Sequence, residues 1–405
     1  MSRVDRLDRK EAKRQKEEAR KLKRKITRNN GLKGLAGTLF GGFDYAVLIL
    51  VIAFSIFGMA MVFSAGYYST VSENSGALYY LRRQAIWVIS GLLILAWTAH
   101  FDYHKYSKYA NALMVTSIGL LLAVQVVGIT INGATRWLGV GSFRITPSEF
   151  SKVFMIIFTS CYLAANPEAA KETKGLTVLA VVMIAHVALI MKQPNLSTAI
   201  VIAAIMASIV FVGGLNPKYI GALFGAGGLL AILILKFKIN EHWYNRLTNW
   251  IDPFADAQGD GYQVSQSIIA LGNGGLKGLG FGKSISKNLY LPEPTNDFIL
   301  SVIGEELGYI GFLILMAFYI ILLFRLILIA LRAKDVLGFY LATGISVMLG
   351  LQVIINVAVV TASMPATGIT LPFISYGGAS IWAFMAAMGI ALNISRKGGP
   401  ERRKR

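Results

Sequence analysis

Two short segments of the sequence hold residue types that can do chemistry together. "LPEPTNDFILSVIGEELG", starting at Leu291, places Glu293, Asp297, Glu305 and Glu306 at the mouth of a long apolar run. "NGATRWLGVGSFRITPSEFSK", starting at Asn132, carries Arg136, Arg144 and Lys152. A carboxylate within hydrogen-bond reach of a hydroxyl can take its proton. Cations fixed opposite a developing anion stabilise its departure, and guanidinium and ammonium groups suit phosphate oxygens. The pairing points to chemistry on a phosphorylated substrate. Each residue also has a structural reading. Asp297 stands where a helix N-cap would, beside a dipole that lowers a carboxylate's pKa. Thr146, Pro147 and Glu149 spell a helix start with a capping box. Lys152, one turn on, suits a side chain that snorkels from the membrane interface.

The elements that must hold these residues are membrane helices. The chain has 405 residues, 55% of them hydrophobic and 15% charged, with mean hydropathy +0.57. Soluble domains carry about 25% charged residues. Roughly 20 apolar residues cross a bilayer as a helix, which predicts an all-α polytopic membrane protein of about ten transmembrane helices. They fall near 44–65, 84–100, 110–131, 153–166, 176–191, 197–214, 218–236, 299–331, 336–361 and 378–395. An even number puts both ends on one side, and charge names the side. Residues 1–33 carry 14 Lys and Arg against 5 Asp and Glu, and 396–405 carry 6 against 1. Positive charge collects on cytoplasmic segments, so both termini are expected there. The domains read as a basic tail over 1–43, a transmembrane domain over 44–395 and a basic tail over 396–405.

The outer loops then lie at 66–83, 132–152, 192–196, 237–298 and 362–377, which puts Arg136, Arg144 and Lys152 where positive charge should be rare. The long extracellular loop 237–298, between the seventh and eighth helices, exceeds the about 12–15 residues beyond which loops tend to be functional or disordered. Its "NRLTNWIDPF", "GYQVSQSIIALG" and "GLKGLGFGKS" mix aromatics, amphipathic pattern and glycine turns, and read as short interfacial helices and ordered turns. "SMPATGITLPFISYGGAS" at 363–380 can hardly be regular helix. Irregular backbone at membrane depth survives only where it is packed in protein or lines a wet cavity. "KQPNLSTA" at 192–199 is a polar turn of the same type.

Other classes are excluded or weakened. A single cysteine, Cys161, rules out a disulfide within the chain and a cysteine-based metal site. No carboxylate set has obvious metal-ligand spacing, so metal ligands are unknown. The four histidines are scattered. The first apolar run begins near Tyr45 after a long charged lead, so it reads as a signal-anchor and not a cleaved signal peptide. "KEAKRQKEEARKLKRKITR" reads as a solvated anchor beside membrane lipids, with no nucleic acid expected. No internal repeat is apparent, so the inverted-repeat signature of secondary transporters is missing.

With these segments in order, the chain resembles the SEDS family (shape, elongation, division and sporulation), peptidoglycan glycosyltransferases of the FtsW, RodA and SpoVE types. The resemblance runs from about Asp44 to Ser395 on "NGATRWL", "ITPSEFSK", "KQPNLSTA", "GDGYQVSQSIIALGNGG", "GLGFGKS", "LPEPTNDFILSVIGEELG" and "LPFISYGG". Each motif alone is weak, but their common order on a chain of this type is specific. "LPEPTNDFI" is closer to the FtsW and SpoVE division and sporulation branch. Asn195 stands where the family commonly has Asp, and Ser197 where it has Gly, which leaves a charged role for that loop unsupported.

The resemblance implies processive polymerisation of lipid II at the outer face of the bacterial cytoplasmic membrane. It matches the family's essential aspartate to Asp297 and its basic pair to Arg144 and Lys152, with Arg136 and Trp137 nearby. Glu149, Glu293, Ser375, Tyr376 and Gly377 complete the expected substrate-binding surroundings. In the implied reaction the 4-hydroxyl of one lipid II attacks the anomeric carbon of the growing chain. Undecaprenyl pyrophosphate leaves, and the anomeric carbon is inverted. Cations near Asp297 would favour its ionised form and weaken it as a base. No cofactor is required by the sequence, and a divalent cation is an option for holding the pyrophosphate. A class B penicillin-binding protein transpeptidase is the implied partner, with other divisome or elongasome proteins. The rival readings are a flippase of lipid-linked oligosaccharides and a non-catalytic scaffold. Against the first, the polar groups gather at the outer mouth and do not run through the bilayer.

Overall fold

The structure is a computed structural model that describes residues 42–72, 76–131, 134–140, 143–219, 221, 225, 250–255, 259, 261–288 and 290–398. The expected span 218–236, the beginning of the long loop and the two basic tails lie almost wholly outside the described residues. Among those described, the helices are α1 (Tyr45–Ser72), α2 (Tyr79–His100), α3 (Tyr106–Val127), α4 (Pro147–Ala165), α5 (Thr173–Met191), α6 (Leu196–Val212), α7 (Tyr262–Gly274), α8 (Ile299–Leu331), α9 (Val336–Val360) and α10 (Gly378–Gly398). All but α7 coincide with expected spans. Seven, namely α1, α3, α4, α5, α8, α9 and α10, are long and apolar enough to cross a membrane.

Burial sorts them. Within their most apolar windows α10 is 78% buried and α4 67%, against 22% for α3 and α5. A helix apolar all round and buried belongs to the core of a bundle, so α4 and α10 are inner helices and α3 and α5 face outward. α10 packs along α2, and α4 against α3, α6 and α9.

The expectation of an all-α chain needs one correction. The span expected to reach residue 131 ends at Val127, and the next residues form an antiparallel sheet of β1 (Ile129–Ile131), β2 (Ala134–Val140) and β3 (Phe143–Ile145) in the order β1-β2-β3. Ile129 pairs with Trp137 and Thr130 with Thr135, whose hydroxyls lie 2.7 Å apart; Gly139 pairs with Arg144. Ile, Thr and Val favour the pleated surface, and the sequence Asn132-Gly133 between β1 and β2 is a strong hairpin signal.

α8 is broken. Gly308 has φ 70° and ψ −172° inside it. The backbone of 275–280 fills the gap: Leu279 and Gly280 N–H donate to Glu305 O and Glu306 O at 3.0 and 2.9 Å, and Tyr309 and Ile310 N–H donate to Gly275 O and Leu276 O at 2.9 and 3.2 Å. A Cβ at Gly308 would lie 2.6 Å from Leu276 O, so only glycine fits both the conformation and the approach. The break separates a short stretch buried throughout from Ile299 to Glu306 from a tail of about 23 residues, roughly 34 Å at 1.5 Å per residue, which matches a bilayer core.

Candidate active site

The chain segments expected to face outward meet at one end of the bundle, around Asp297. "LPEPTND" is pinned from two sides. Asn356 on α9 donates its amide to Asp297 O at 2.9 Å and to Ile369 O at 2.7 Å. Ser375 Oγ donates to Asn296 O at 2.7 Å, and Tyr376 N–H donates to Thr295 O at 2.9 Å. Ser375 and Tyr376, expected to meet substrate, thus act through the backbone: Ser375 is buried and spends its hydroxyl on Asn296 and on Leu371 N–H. Gly377 opens α10, its carbonyl accepting from Ile381 N–H at 3.1 Å.

Asp297 is not an N-cap. α8 begins behind Phe298 without a side-chain cap, and the Asp297 carboxylate accepts no hydrogen bond among the described residues. The expected lowering of its pKa is reversed. Burial pushes it up to about 7, helped by the negative charges of Glu293 and Glu149, and Arg136 opposes this only in part. Some of its surface still opens outward. Glu293 is exposed, with φ 51°, and accepts from the Asn296 amide at 2.6 Å.

The cations separate. Arg136 on β2 donates Nε to Gln193 O at 3.0 Å and Nη2 to Pro194 O, so the 192–196 turn aims it. Gly368, with φ 72°, leaves open the space between them: a Cβ there would lie 3.3 Å from Asp297 Oδ2 and 3.7 Å from Arg136 Nη1. Side chains alternate along a strand and directly paired residues share a face. Arg136 is the exception: Thr135 pairs with Thr130 but Trp137 with Ile129, so β2 bulges at Arg136 and alternation breaks there. Trp137 shares a face with Gly139 and its partner Arg144, with Trp137 half-buried and Arg144 exposed.

Lys152 neither snorkels nor opens to the mouth. Its side chain is 2% exposed, and Nζ donates to Glu149 Oε2 at 2.8 Å and Gln352 Oε1 at 2.7 Å, with the Phe384 ring 5.9 Å away. Glu149 does not close a capping box: Thr146 makes no side-chain cap bond, and the Glu149 carboxylate is committed to Lys152. Glu149 thus delivers negative charge toward Asp297, and Lys152 holds it in place. Asn195 does cap α6, accepting from Thr198 N–H at 3.3 Å, for which an amide serves as well as an acid.

Glu305 and Glu306 are fully buried and serve the loop that plugs the α8 break. Glu305 accepts from Ser284 Oγ and from Ser286 N–H and Oγ, the latter two at 3.2 and 3.1 Å; Glu306 accepts from Lys287 Nζ at 2.8 Å, Ser64 Oγ at 2.6 Å and Gly282 N–H at 2.9 Å. Asn356 and Gln352, which hold the acid and the lysine, escaped the reading by charge alone. Their signal is two amides four residues apart on an otherwise apolar helix, hence on one face. Buried polar atoms without a partner gather here too: Gln193 Oε1, Asn356 Oδ1, Thr367 Oγ1 and Ser148 Oγ. Such atoms need a partner that the protein does not supply. Among the described residues no group of three His, Cys, Asp or Glu side chains could hold a metal ion.

Fold and site together define a multi-pass membrane protein with a carboxylate at one end of its helix bundle. The profile of the FtsW, RodA and SpoVE family, described as "Cell cycle protein", matches residues 44–399, and the chain belongs to this family. It is 34% identical over 359 residues to the probable peptidoglycan glycosyltransferase FtsW of Geobacter sp. (strain M18), covering 88% of this chain and 97% of the relative. It is 35% identical over 359 residues to stage V sporulation protein E of Bacillus subtilis (strain 168), covering 87% and 97%. A solved structure described as "Structural coordination of polymerization and crosslinking by a peptidoglycan synthase complex" matches with TM-score 0.74 at 29% identity, over 88% of this chain and 98% of the other. The rod shape determining protein RodA of Thermus thermophilus matches with TM-score 0.64 at 27% identity, over 89% and 98%.

Proposed function

We propose that this chain is a peptidoglycan glycosyltransferase that polymerises lipid II, with Asp297 as general base. The single observation that carries the assignment is the half-buried Asp297 carboxylate, free of hydrogen bonds among the described residues and facing Arg136 across Gly368, an environment that pushes its pKa up to about 7. A base is most effective when its pKa lies near the working pH. Asp297 takes the proton of the acceptor 4-hydroxyl as that oxygen bonds to the anomeric carbon of the growing chain. The bond from that carbon to the pyrophosphate breaks, and undecaprenyl pyrophosphate leaves with the electron pair. Displacement in one step inverts the anomeric carbon. Arg136 meets the phosphate charge beside Asp297, and the exposed Arg144, with Trp137 on the same face of the sheet, is a second phosphate contact. Lys152 acts at one remove, by fixing Glu149.

The chain carries about ten spans with both termini cytoplasmic, so that this end of the bundle faces outward. Its partner is a transpeptidase of the class B penicillin-binding type, a reading supported by the solved synthase complex. Purified full-length protein in detergent, given lipid II, is expected to form polymer, and Asp297→Asn is expected to lose nearly all of it while melting no lower than the parent protein. Normal polymer from Asp297→Asn would end the assignment. Detergent offers no second membrane face, so polymer formation also separates a polymerase from a flippase.

A further inference from the structure

The segment that plugs the α8 break is inside out. Ser284, Ser286 and Lys287 are buried, while Leu276, Leu279, Phe281 and Ile285 are exposed, Leu276 at 69% and Phe281 at 53%. The two buried carboxylates are the cause. Glu305 and Glu306 draw the hydroxyls and the ammonium inward, and the apolar side chains between them turn out. The patch sits on a firm support, because the backbone of 275–280 is hydrogen-bonded at four points to the broken helix.

Two observations say what covers it. The patch is continuous with the outward face of α8: Ile310 N–H donates to Leu276 O, and Tyr309, Ile310, Leu313 and Ile314 are exposed directly after the break. That face belongs to a helix apolar and long enough to cross the membrane. Lys277 and Lys283 stand exposed among the apolar residues. Apolar side chains interleaved with cations are the composition of a segment lying in the headgroup boundary, with lipid phosphates as the counter-charge.

We propose that residues 276–285 lie in the membrane interface, with Leu276, Leu279, Phe281 and Ile285 among the acyl chains and Lys277 and Lys283 on lipid phosphates. The occupant of this surface is the bilayer. The hydrogen bonds that fix the loop to α8 also tie it to the short buried helix that begins behind Asp297. The loop therefore sets the depth of the acid relative to the phosphate layer. The inference rests on burial and continuity and holds whatever reaction Asp297 performs.

The test uses the full chain with Cys161→Ser, reconstituted in nanodiscs of mixed zwitterionic and anionic lipid. A nitroxide is attached at Phe281→Cys or, in a second protein, Ile285→Cys, with Glu168→Cys in an exposed turn as the water reference. Collision with oxygen is expected to exceed collision with a soluble nickel chelate several-fold at 281 and 285, and the order to reverse at 168. Nickel access at both loop positions equal to that at 168 would put the loop in water and overturn the proposal. Exclusion of both reagents would mean a protein covering and would overturn it too. With Lys277→Gln and Lys283→Gln together, the 281 label is expected to move outward in anionic bilayers; unchanged depth would overturn the phosphate contact.

Discussion

Asp297 and Asp335 are the same residue type just before successive helices, and their fates are opposite. Asp335 caps α9: its carboxylate accepts from Gly338 N–H at 2.8 Å, from the Tyr103 hydroxyl and from His104 Nε2 at 3.1 Å. Partial burial pushes its pKa up, but the hydrogen bonds from Tyr103 and Gly338 and the nearby His104 outweigh this and hold it low. Asp297 has burial without those donors, faces two further carboxylates, and rises to about 7. A carboxylate before a helix is stabilised only if it actually turns onto the free N–H groups. At Asp297 the chain instead turns away, held by Asn356 through its own carbonyl. One end of the bundle uses its acid as a clasp, and the other leaves its acid without such bonds among the described residues.

The largest effect should come from exchanging the two acids' fates. Asp297→Asn is expected to lower polymerisation by roughly 10²–10⁴-fold, the usual contribution of a general base, while raising the melting temperature at and above neutral pH, where the ionised Asp297 costs stability. Asp335→Ala should do the converse, keeping most activity and losing about 0.5–2 kcal/mol of stability. Equal loss of activity from both in folded protein would break the comparison. Next comes the buried pair: Lys152→Met leaves Glu149 uncompensated and should cost about 3–5 kcal/mol. Adding Glu149→Gln should recover part of it, as a melting series would record. Gly368→Ala fills the space between Asp297 and Arg136. It is expected to reduce kcat by roughly tenfold to a hundredfold and, because of its positive φ, to lose about 1–2 kcal/mol; an unchanged kcat would remove that space from the site.

The smallest and most diagnostic effects are in pH. A base with pKa about 7 must be deprotonated, so the rate should rise about tenfold per unit below pH 7 and level above it. The signs for stability are opposite for the two acids. Asp297, raised when folded, binds more protons in the folded than the unfolded state between its ordinary pKa and about 7, so stability falls as pH rises through that window. Asp335, lowered when folded, contributes stability above its unfolded pKa and loses it as pH falls through its folded one. Unfolding measured against pH in the Asn and Ala variants separates the two.

Much of this was legible along the chain. Apolar runs of bilayer length gave the nine spans that coincide with described helices, because each helix satisfies its own backbone and only length and apolarity matter. Charges in an apolar chain marked Asp297, Arg136, Arg144 and Lys152 as candidates, since ionisable groups at membrane depth are costly. The hairpin at Ile129–Val140 was missed by counting apolar length alone, although Asn132-Gly133 announces it.

The sequence by itself determined the class of the protein, the run of its helices and the list of residues able to react. Tertiary structure decided what each of those residues does. It buried Lys152 on Gln352, put a bulge in the strand at Arg136 and left Arg144 exposed on the next strand, sank Glu305 and Glu306 into a loop, and left the Asp297 carboxylate without a hydrogen-bond donor among the described residues. The physical reason is that periodicity and hydropathy act over neighbours in sequence, whereas the charge state of a group depends on burial and on partners far along the chain, as for Asp335 and Tyr103, 232 positions apart.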